Sequence, residues 1–410
     1  MEVILSLKHI DLLKAKLLNQ EHYHFIGLGG IGMSGIALAL LKKGYSVSGS
    51  DPNKNDRIDE LALNGAIIFQ NQNKTNIEHI VNKFVEQKLI IVISSAIKKD
   101  NEELSYCIQR NLCIKHRSEI LSNILKLYKS IAVAGSHGKT STSTLLSTLL
   151  QLCTQNTSTI IGGVSPFYKS NSFIQNSKYL VAEIDESDGT TINYSPYLGI
   201  INNIDFDHCD FYPNLNQLIS SFRQFGLNSQ KLLTNFDCKI TQNNINSGYQ
   251  WSIKEIKDIN FSLIPKKLNQ EFTVADYYEK GNFIETLKIP IPGIHNLSNI
   301  TAAISACRII DIELKILIKN IKFLKLPNKR FELRGHIFGR MIIDDYGHHP
   351  NEIKATLKLA RLFIKNKRDY KKRLVLIFQP HRYSRVNKFL SEFVNELAKA
   401  DFVIITDIYS

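Results

Sequence analysis

No apolar run in this sequence reaches the length that a bilayer-spanning helix needs, so no membrane partner is expected. The N-terminal stretch MEVILSLKHIDLLKAKLLNQ carries charges through its apolar residues and lacks a small-residue cleavage site. It makes a poor signal peptide, and the cytoplasm is the expected compartment. Cysteine is sparse, with six residues at 107, 113, 153, 209, 238 and 307 and no Cys-x-x-Cys pair. That spacing suggests neither a zinc site nor a disulfide framework and leaves small buried thiols. Internal repeats and long low-complexity tracts are missing. Missing too are the motif spacing and aromatic–basic interleaving of nucleic-acid binders. Nucleic acid is therefore not the expected partner despite the net charge of +13. That charge suits phosphorylated, anionic substrates, although a composition rich in Lys, Asn and Ile accounts for part of it.

At 410 residues the chain is too long for one compact core and suits two or three domains. Its 43% hydrophobic and 22% charged residues are ordinary for a soluble globular protein. Three α/β blocks stand out, each opening with a strand and a turn bearing glycine or histidine. They begin at HYHFIGLGGIGMSGIALALLKKGYSVSGSD, SIAVAGSHGKTSTSTLLSTLL and MIIDDYGHHPNEIKATLKLA. Links are expected near Arg117 to Ser130 and near Leu326-Pro327-Asn328. Residues 231–290, Asn-rich and irregular, read as short antiparallel strands and loops.

In the first block a strand at His24 to Leu28 runs into Gly27-Leu28-Gly29-Gly30-Ile31-Gly32, a G-x-G-x-x-G match. A helix with an apolar face from Ile36 to Leu41 follows, then a strand from Tyr45 to Ser50 ending at Asp51. Such glycines let the backbone approach a diphosphate at a helix N-terminus. The motif does not choose between a dinucleotide and a UDP-sugar, and tight packing alone would also use it. A further strand, Leu89 to Ile93, ends at Ser94 and Ser95, where the strand ends of such sheets line a ligand crevice.

The second block passes from a strand at Ser130 to Val133 through Gly135-Ser136-His137-Gly138-Lys139-Thr140 into a helix from Ser141 to Leu150. Val133 stands where the common G-x-x-x-x-G-K-[ST] loop has its first glycine, so this is a shorter form. Its N–H groups are expected to cradle phosphates, with Lys139 on the terminal phosphate and Thr140 on Mg²⁺. Tyr179 to Asp188 reads as a strand entering an acidic turn, and Glu183 is a candidate oxygen ligand for Mg²⁺. Another apolar stretch, Tyr197 to Ile201, ends in Asn202 to His208. His208 is an unusual Mg²⁺ ligand, and its residue type alone favours a core or hydrogen-bonding role. Asn296 and Asn299 precede an amphipathic helix from Ile300 to Ile310. They either cap it or bond adenine or ribose.

In the third block a strand at Ile342-Ile343 ends in Asp344-Asp345-Tyr346-Gly347-His348-His349-Pro350, with a helix from Asn351. The strand Leu374 to Phe378 ends in Gln379-Pro380-His381-Arg382-Tyr383-Ser384-Arg385. Two strand ends thus present His, Asp and Arg on one sheet edge. Arg382 and Arg385 are spaced to meet one carboxylate together. The adjacency of His348 and His349 is weak evidence for zinc.

The strings IGLGGIGMSGIA, AVAGSHGKTST, YLVAEIDESD, NNIDFDHCDFY, GIHNLSN, KRFELRG, DDYGHHP and FQPHRYSR span residues 22–385 in one order. Together they resemble the Mur ligases. DDYGHHP and FQPHRYSR resemble the branch that adds alanine rather than the one that recycles a tripeptide. The resemblance implies an α/β fold of three domains: a Rossmann-like UDP-sugar-binding domain over 1–118, a P-loop ATPase-like central domain with a mostly parallel sheet over 119–328, and a Rossmann-like C-terminal domain over 329–410. Family members run on for roughly sixty more residues, so the last domain is expected to be truncated, with three parallel strands, an unpaired edge and a thin core.

The implied reaction is ATP-dependent amide formation between the lactyl carboxylate of UDP-N-acetylmuramic acid and L-alanine, through an acyl phosphate, in peptidoglycan synthesis. ATP and Mg²⁺ are the implied cofactors, the two substrates the implied partners, and a monomer or homodimer the implied state. The UDP-sugar falls to Gly27, Gly29, Gly30, Gly32, Ser50, Asp51, Ser94 and Ser95. ATP falls to Gly135, Ser136, His137, Gly138, Lys139, Thr140, Asn296, Asn299, Arg330 and Asp345. Metal falls to Thr140, Glu183 and His208, with Lys139, Glu183, His208 and Arg330 as the catalytic set. His348, His381, Arg382 and Arg385 form the amino-acid and carboxylate region. Arg223 stands about where several sister ligases carry a carbamylated lysine, which fits the alanine-adding branch. The alternatives are a chain that binds ATP or UDP-sugar without turnover, an oxidoreductase resting on G-x-G-x-x-G alone, and the recycling ligase.

Overall fold

A computed structural model describes residues 20–207, 211–245, 247–364 and 372–409. The N-terminal stretch that makes a poor signal peptide, up to residue 19, and His208 and Cys209 lie outside the described residues. Two compact units form. The first holds the chain up to Lys129 with Asn156–Gly163 and Ser170–Leu180, and the second holds Ser130–Gln155, Val164–Lys169 and the chain from Val181 on. Among the described residues no helix is long and apolar enough to cross a membrane.

The first unit is built on five parallel strands: β1 (Glu21–Ile26), β2 (Ser46–Ser50), β3 (Ile67–Phe69), β4 (Lys88–Ile93) and β5 (Cys113–His116). Their order is β3-β2-β1-β4-β5, so the winding reverses between β1 and β4, which is where such sheets open a ligand crevice. β1 is buried on both faces after Glu21, as a central parallel strand must be, with His22 and His24 each within hydrogen-bond distance of the Ser48 hydroxyl. Ile26, Ile77, Ile91, Leu104 and Cys107 form one core cluster below it. Gly49 is tightly enclosed: a Cβ there would meet the Phe25 carbonyl oxygen at 2.7 Å and Leu28 side-chain atoms at 2.8 Å.

In the second unit the strand Lys129–Ala134 lies between Leu198–Ile201 and Tyr179–Glu183, with Lys231–Asn235, Tyr249–Ser252 and Phe261–Leu268 continuing the sheet in parallel. Within residues 231–290, Thr273–Glu279 and Asn282–Ile289 add antiparallel pairs. The expectation of antiparallel strands over 231–290 is therefore corrected for its first half. The helix Lys239–Asn244 supplies a crossover that keeps Lys231–Asn235 and Tyr249–Ser252 parallel. Neither KLLTN nor YQWS alternates strongly enough to reveal its neighbours.

The helix after the Gly-rich loop runs over Lys139–Thr154 and is buried from Thr140 to Leu150 despite its many hydroxyls. Ser143 donates to the Thr140 carbonyl (3.2 Å), and Ser147 and Thr148 donate to that of Thr144 (3.1 and 2.8 Å). Bonding back to their own helix lets these side chains enter the core with their protons satisfied. The helix Ile294–Ile309 packs along it.

Toward the C-terminus, Glu332–Ile337 and Arg340–Asp344 form a hairpin through Phe338 and Gly339, both at positive φ (48° and 71°). That is the two-residue turn whose twist matches paired strands. Val375–Phe378 and Phe402–Ile405 pair in parallel in a separate sheet. The expected set of three parallel strands is thus replaced, among the described residues, by two pairs. Arg340–Asp344 finds its partner in the adjacent segment, at the small closure cost of a two-residue loop. Ile353, Leu357, Phe378, Phe393 and Leu397 make the local core.

Because the nearest atom to a Cβ at Gly49 is backbone, Gly49→Ala is expected to destabilise the first unit by about 1–3 kcal/mol, read as a lower urea midpoint.

Candidate active site

The strand Lys129–Ala134, buried after its first residue, ends on the loop Gly135–Gly138. Two glycines there are fixed by geometry. Gly135 has φ 129°, and a Cβ would lie 3.0 Å from the backbone of Asn202 and Asn203. Gly138 has φ 77°, and a Cβ would meet Asn299 Oδ1 at 2.5 Å. The run Asn202-Asn203-Ile204-Asp205 braces the loop. Ser136 N–H donates to the Asn203 carbonyl (3.1 Å), and His137 N–H donates to Asn203 Oδ1 (2.8 Å). Asn203 Nδ2 returns a bond to the His137 carbonyl (3.1 Å), while the Ser136 hydroxyl donates to the Asp205 carbonyl (2.8 Å).

Lys139 Nζ donates to the Gly135 carbonyl (2.7 Å) and pairs with the fully buried Glu186 at 2.8 Å. Burial alone would lower its pKa, but Glu186, Asp185 and Glu183 outweigh burial and raise it, so Lys139 stays a cation. Thr140 Oγ1 donates to Glu183 Oε1 at 3.0 Å. Two oxygens at that separation match neighbouring ligands of an octahedral ion with bonds of about 2.1 Å, so Thr140 and Glu183 fit Mg²⁺. Among the described residues, one group of His, Cys, Asp or Glu brings metal-ligating atoms within 4.8 Å of one another: His137, Asp205 and His349.

Above the loop a cavity brings together His137, Gly138, Asn296, Asn299, Arg330 and Asp345 of the expected nucleotide set. Asn202, Asn203, His295, Asn351, Glu352 and Thr356 line it as well. Gly135, Ser136, Lys139 and Thr140 belong to the same loop and the helix it opens but not to the lining. Asn296 and Asn299 lie inside the helix Ile294–Ile309, which starts at Gly293 (φ 97°) without a side-chain cap. The capping role weighed for them is corrected: the helix begins earlier, Asn296 Nδ2 donates to the Pro292 carbonyl (2.8 Å), and Asn299 Oδ1 accepts from the Thr142 hydroxyl (3.3 Å).

Asp345 accepts N–H bonds from Phe331 and Gly347 (both 2.8 Å) and the Thr356 hydroxyl (3.0 Å). Burial nevertheless raises its pKa against these bonds and the nearby Arg330. Arg330 lies 3.7 Å from Glu352 Oε1, with its guanidinium 5.7 Å from the Tyr346 ring centre. Burial, helped by the charge of Arg330, lowers His295 to about 4, which keeps that cavity wall neutral.

The carboxylate region is assembled from two turns. The rings of His348 and His381 lie 5.7 Å apart, and Arg385 Nη1 is 3.0 Å from His381 Nδ1. Arg385 grips Asp207 with two bonds of 3.0 Å, both side chains buried. Arg382 takes the N-cap position of the helix Tyr383–Lys388 at φ 63° and gives its backbone N–H to the Tyr409 carbonyl. Burial lowers the pKa of His348, and burial with neighbouring His348 lowers His381 to about 4.

In the first unit, N–H groups of Gly27 and Leu28 donate to the Ser50 carbonyl (2.8 and 3.0 Å), and Gly29 N–H donates to Asp51 Oδ2 (2.9 Å). Gly27, Gly29, Gly30, Gly32, Ser50 and Asp51 therefore gather at the ends of β1 and β2. Ser94 and Ser95 follow β4, with the Ser95 hydroxyl 3.2 Å from His116 Nε2. The Ser50 hydroxyl is buried and donates to Glu103.

Sequence reasoning gave no role to Glu186, Asp205, Asp207, Asn351 and Glu352, and weighed His349 only as weak evidence for zinc. Glu186, Asp205, Asp207, His349 and Asn351 lie inside or next to quoted strings, but nothing in their spacing announces their partners. His137 is the centre of the missed set. Burial alone would depress its pKa, yet Asp205 and Glu352 together raise it to about 9. A raised folded pKa gives stability that is fully present below the ordinary histidine value and is lost as pH climbs through about 9. The difference in unfolding free energy between the native chain and His137→Gln is expected to shrink from at most about 3 kcal/mol near pH 6 toward zero near pH 10, measured by denaturant titration across that range.

Three family models match: "Mur ligase family, catalytic domain" over residues 22–129, "Mur ligase middle domain" over 133–307 and "Mur ligase, glutamate ligase domain" over 329–409. A UDP-N-acetylmuramate--L-alanine ligase of Prochlorococcus marinus subsp. pastoris is 59% identical over 398 residues, covering 96% of this chain and 84% of the relative. One from Synechococcus sp. (strain CC9605) is 41% identical over 95% of this chain and 84% of its own length. The crystal structure of UDP-N-acetylmuramate-alanine ligase from Thermotoga maritima superposes with a TM-score of 0.81 at 26% identity, over 95% of this chain and 85% of that one. The chain belongs to the Mur ligase family.

Proposed function

We propose that this chain joins L-alanine to the lactyl carboxylate of UDP-N-acetylmuramic acid at the expense of ATP; its relatives are named UDP-N-acetylmuramate--L-alanine ligases. The observation that carries the reading is the single cavity where His137 and Gly138 of the Gly-rich loop, the asparagines of the helix Ile294–Ile309, and Arg330 with Asp345 converge. In this reading residues 1–118 take the UDP-sugar, 119–328 take ATP, and 329–410 close over it. The enzyme acts in the cytoplasm as a monomer or homodimer.

The adenine side of ATP is assigned to Asn296 and Asn299, and the phosphates to the N–H groups of Gly135 to Thr140. The lactyl carboxylate attacks the γ-phosphorus, giving an acyl phosphate and ADP. Charge accumulates on the transferred group, and Lys139, a cation held at the loop by Glu186, would turn from that carboxylate to the phosphate. Mg²⁺ held by Thr140 and Glu183, with His208 for a second ion, would neutralise the same charge when bound. Arg330 would meet the phosphates from the far wall. The amine of alanine then attacks the acyl carbon, and the tetrahedral adduct collapses to the amide and phosphate. His348, His381, Arg382 and Arg385 are assigned to the carboxylates of both substrates.

The test is phosphate release from ATP with Mg²⁺ and UDP-N-acetylmuramate, with and without L-alanine. Release that needs both substrates, and falls at least about 100-fold in Lys139→Ala, is the expected result. Release independent of alanine would overturn the assignment.

A further inference from the structure

Two ring nitrogens of one loop histidine face two carboxylates from opposite directions. His137 Nε2 lies 3.0 Å from Asp205 Oδ2, on the strand end that braces the loop. His137 Nδ1 lies 3.5 Å from Glu352 Oε1, in the first turn of the helix Pro350–Ile364. Glu352 is itself anchored. Its Oε2 accepts the N–H groups of His348 (3.0 Å) and His349 (3.3 Å), and Arg330 reaches its Oε1. Asp205 is shared in the same way. Asn351 Nδ2 donates to it, His349 Nδ1 stands 3.9 Å away, and the rings of His137 and His349 are 4.7 Å apart.

A cation is not needed to explain this cluster. His349 Nδ1 accepts the Asn351 N–H at 3.3 Å, and both nitrogens of His137 already face carboxylates. An imidazole that donates from both nitrogens supplies the compensating charge itself. The backbone of His137 cannot drift independently, because Asn202 and Asn203 hold its N–H and carbonyl. A displacement of residues 348–352 would therefore be felt by the loop directly through this side chain, and indirectly through Asp205, which Asn351 reaches and which bonds Ser136.

We infer that His137 is the joint by which the turn His348–Glu352 grips the phosphate loop, which makes His137, Glu352 and Asp205 positioning residues for phosphoryl transfer. The inference rests on the reading that the loop takes ATP. His137 precedes Lys139 by two residues, and Glu352 also holds the backbone of His348, which belongs to the carboxylate region. One carboxylate thus ties the phosphate side to the acceptor side. The loop reaches its working shape only with the turn docked, and a displacement of about 1 Å costs about a hundredfold in rate.

The experiment compares His137→Ala, Glu352→Ala and the double variant in steady-state phosphate release. Amide hydrogen exchange of residues 135–140 is followed in parallel with a non-hydrolysable ATP analogue bound. Each single variant is expected to lose roughly 10–100-fold in kcat, with the double no worse than the weaker single, because both remove one joint. KM for UDP-N-acetylmuramate should stay within about twofold, since that nucleotide is assigned elsewhere. Exchange at 135–140 should quicken in both singles. Multiplicative losses in the double, or a lowered melting temperature with unchanged kcat and unchanged exchange, would overturn the joint. Should the native chain release no phosphate, the proposed function fails while exchange still decides the joint: faster exchange in Glu352→Ala upholds it, and equal exchange sinks it.

Discussion

Close backbone approach at the Gly135–Gly138 loop is the constraint from which the second unit is organised. The strand beneath it is buried on both faces, so its end is a rigid platform. The loop above must pass within contact distance of Asn202 and Asn203 on one side and Asn299 on the other, which only glycine allows at 135 and 138. Those contacts set the polar groups of the neighbouring strand end against the loop. They bond the loop through Asn202, Asn203 and Asp205. A flexible-looking sequence thereby becomes a fixed cradle. The buried hydroxyls of the following helix extend the same logic, since each satisfied proton removes a cost of burial.

Charge is handled by pairing at short range rather than by exposure. Lys139 and Glu186, Arg385 and Asp207, and His137 between Asp205 and Glu352 are paired at short range, the second pair buried and the others partly so. A buried ion deprived of its partner is strongly unfavourable, so such pairs add little net stability while fixing geometry firmly. For the proposed ATP site this means that the cations would already be in place, their carboxylates giving way to phosphate oxygens. The neutral His295, His348 and His381 complete the pattern, because burial and nearby arginines prevent them from adding further charge.

Much of this was legible in the residue order. The Gly-rich turns, the strands that enter them and the helices that leave them follow from local rules of periodicity, glycine freedom and buried parallel strands, and the observed elements lie close to the expected ones. Eight strings in one order carried the family. Less legible were features set by neighbours distant in sequence. The helix over Ile294–Ile309 swallows two asparagines that looked like caps, because Gly293 had already turned the chain. The strands Lys231–Asn235 and Tyr249–Ser252 are parallel because a short helix crosses between them. Arg340–Asp344 pairs with its sequence neighbour rather than with a later strand.

Sequence by itself determined the Gly-rich loop, the acidic turn after Tyr179–Glu183 and the turns rich in His and Arg, since each depends on residue types within a few positions of one another. Only the tertiary structure decided that Asp207 would hold Arg385 and that Asp205 and Glu352 would share His137. Those partners are separated by some 70 to 215 residues, and no local spacing encodes them. A buried charge takes whichever opposite charge the packed strand ends bring within reach, and that choice exists only once the chain has folded.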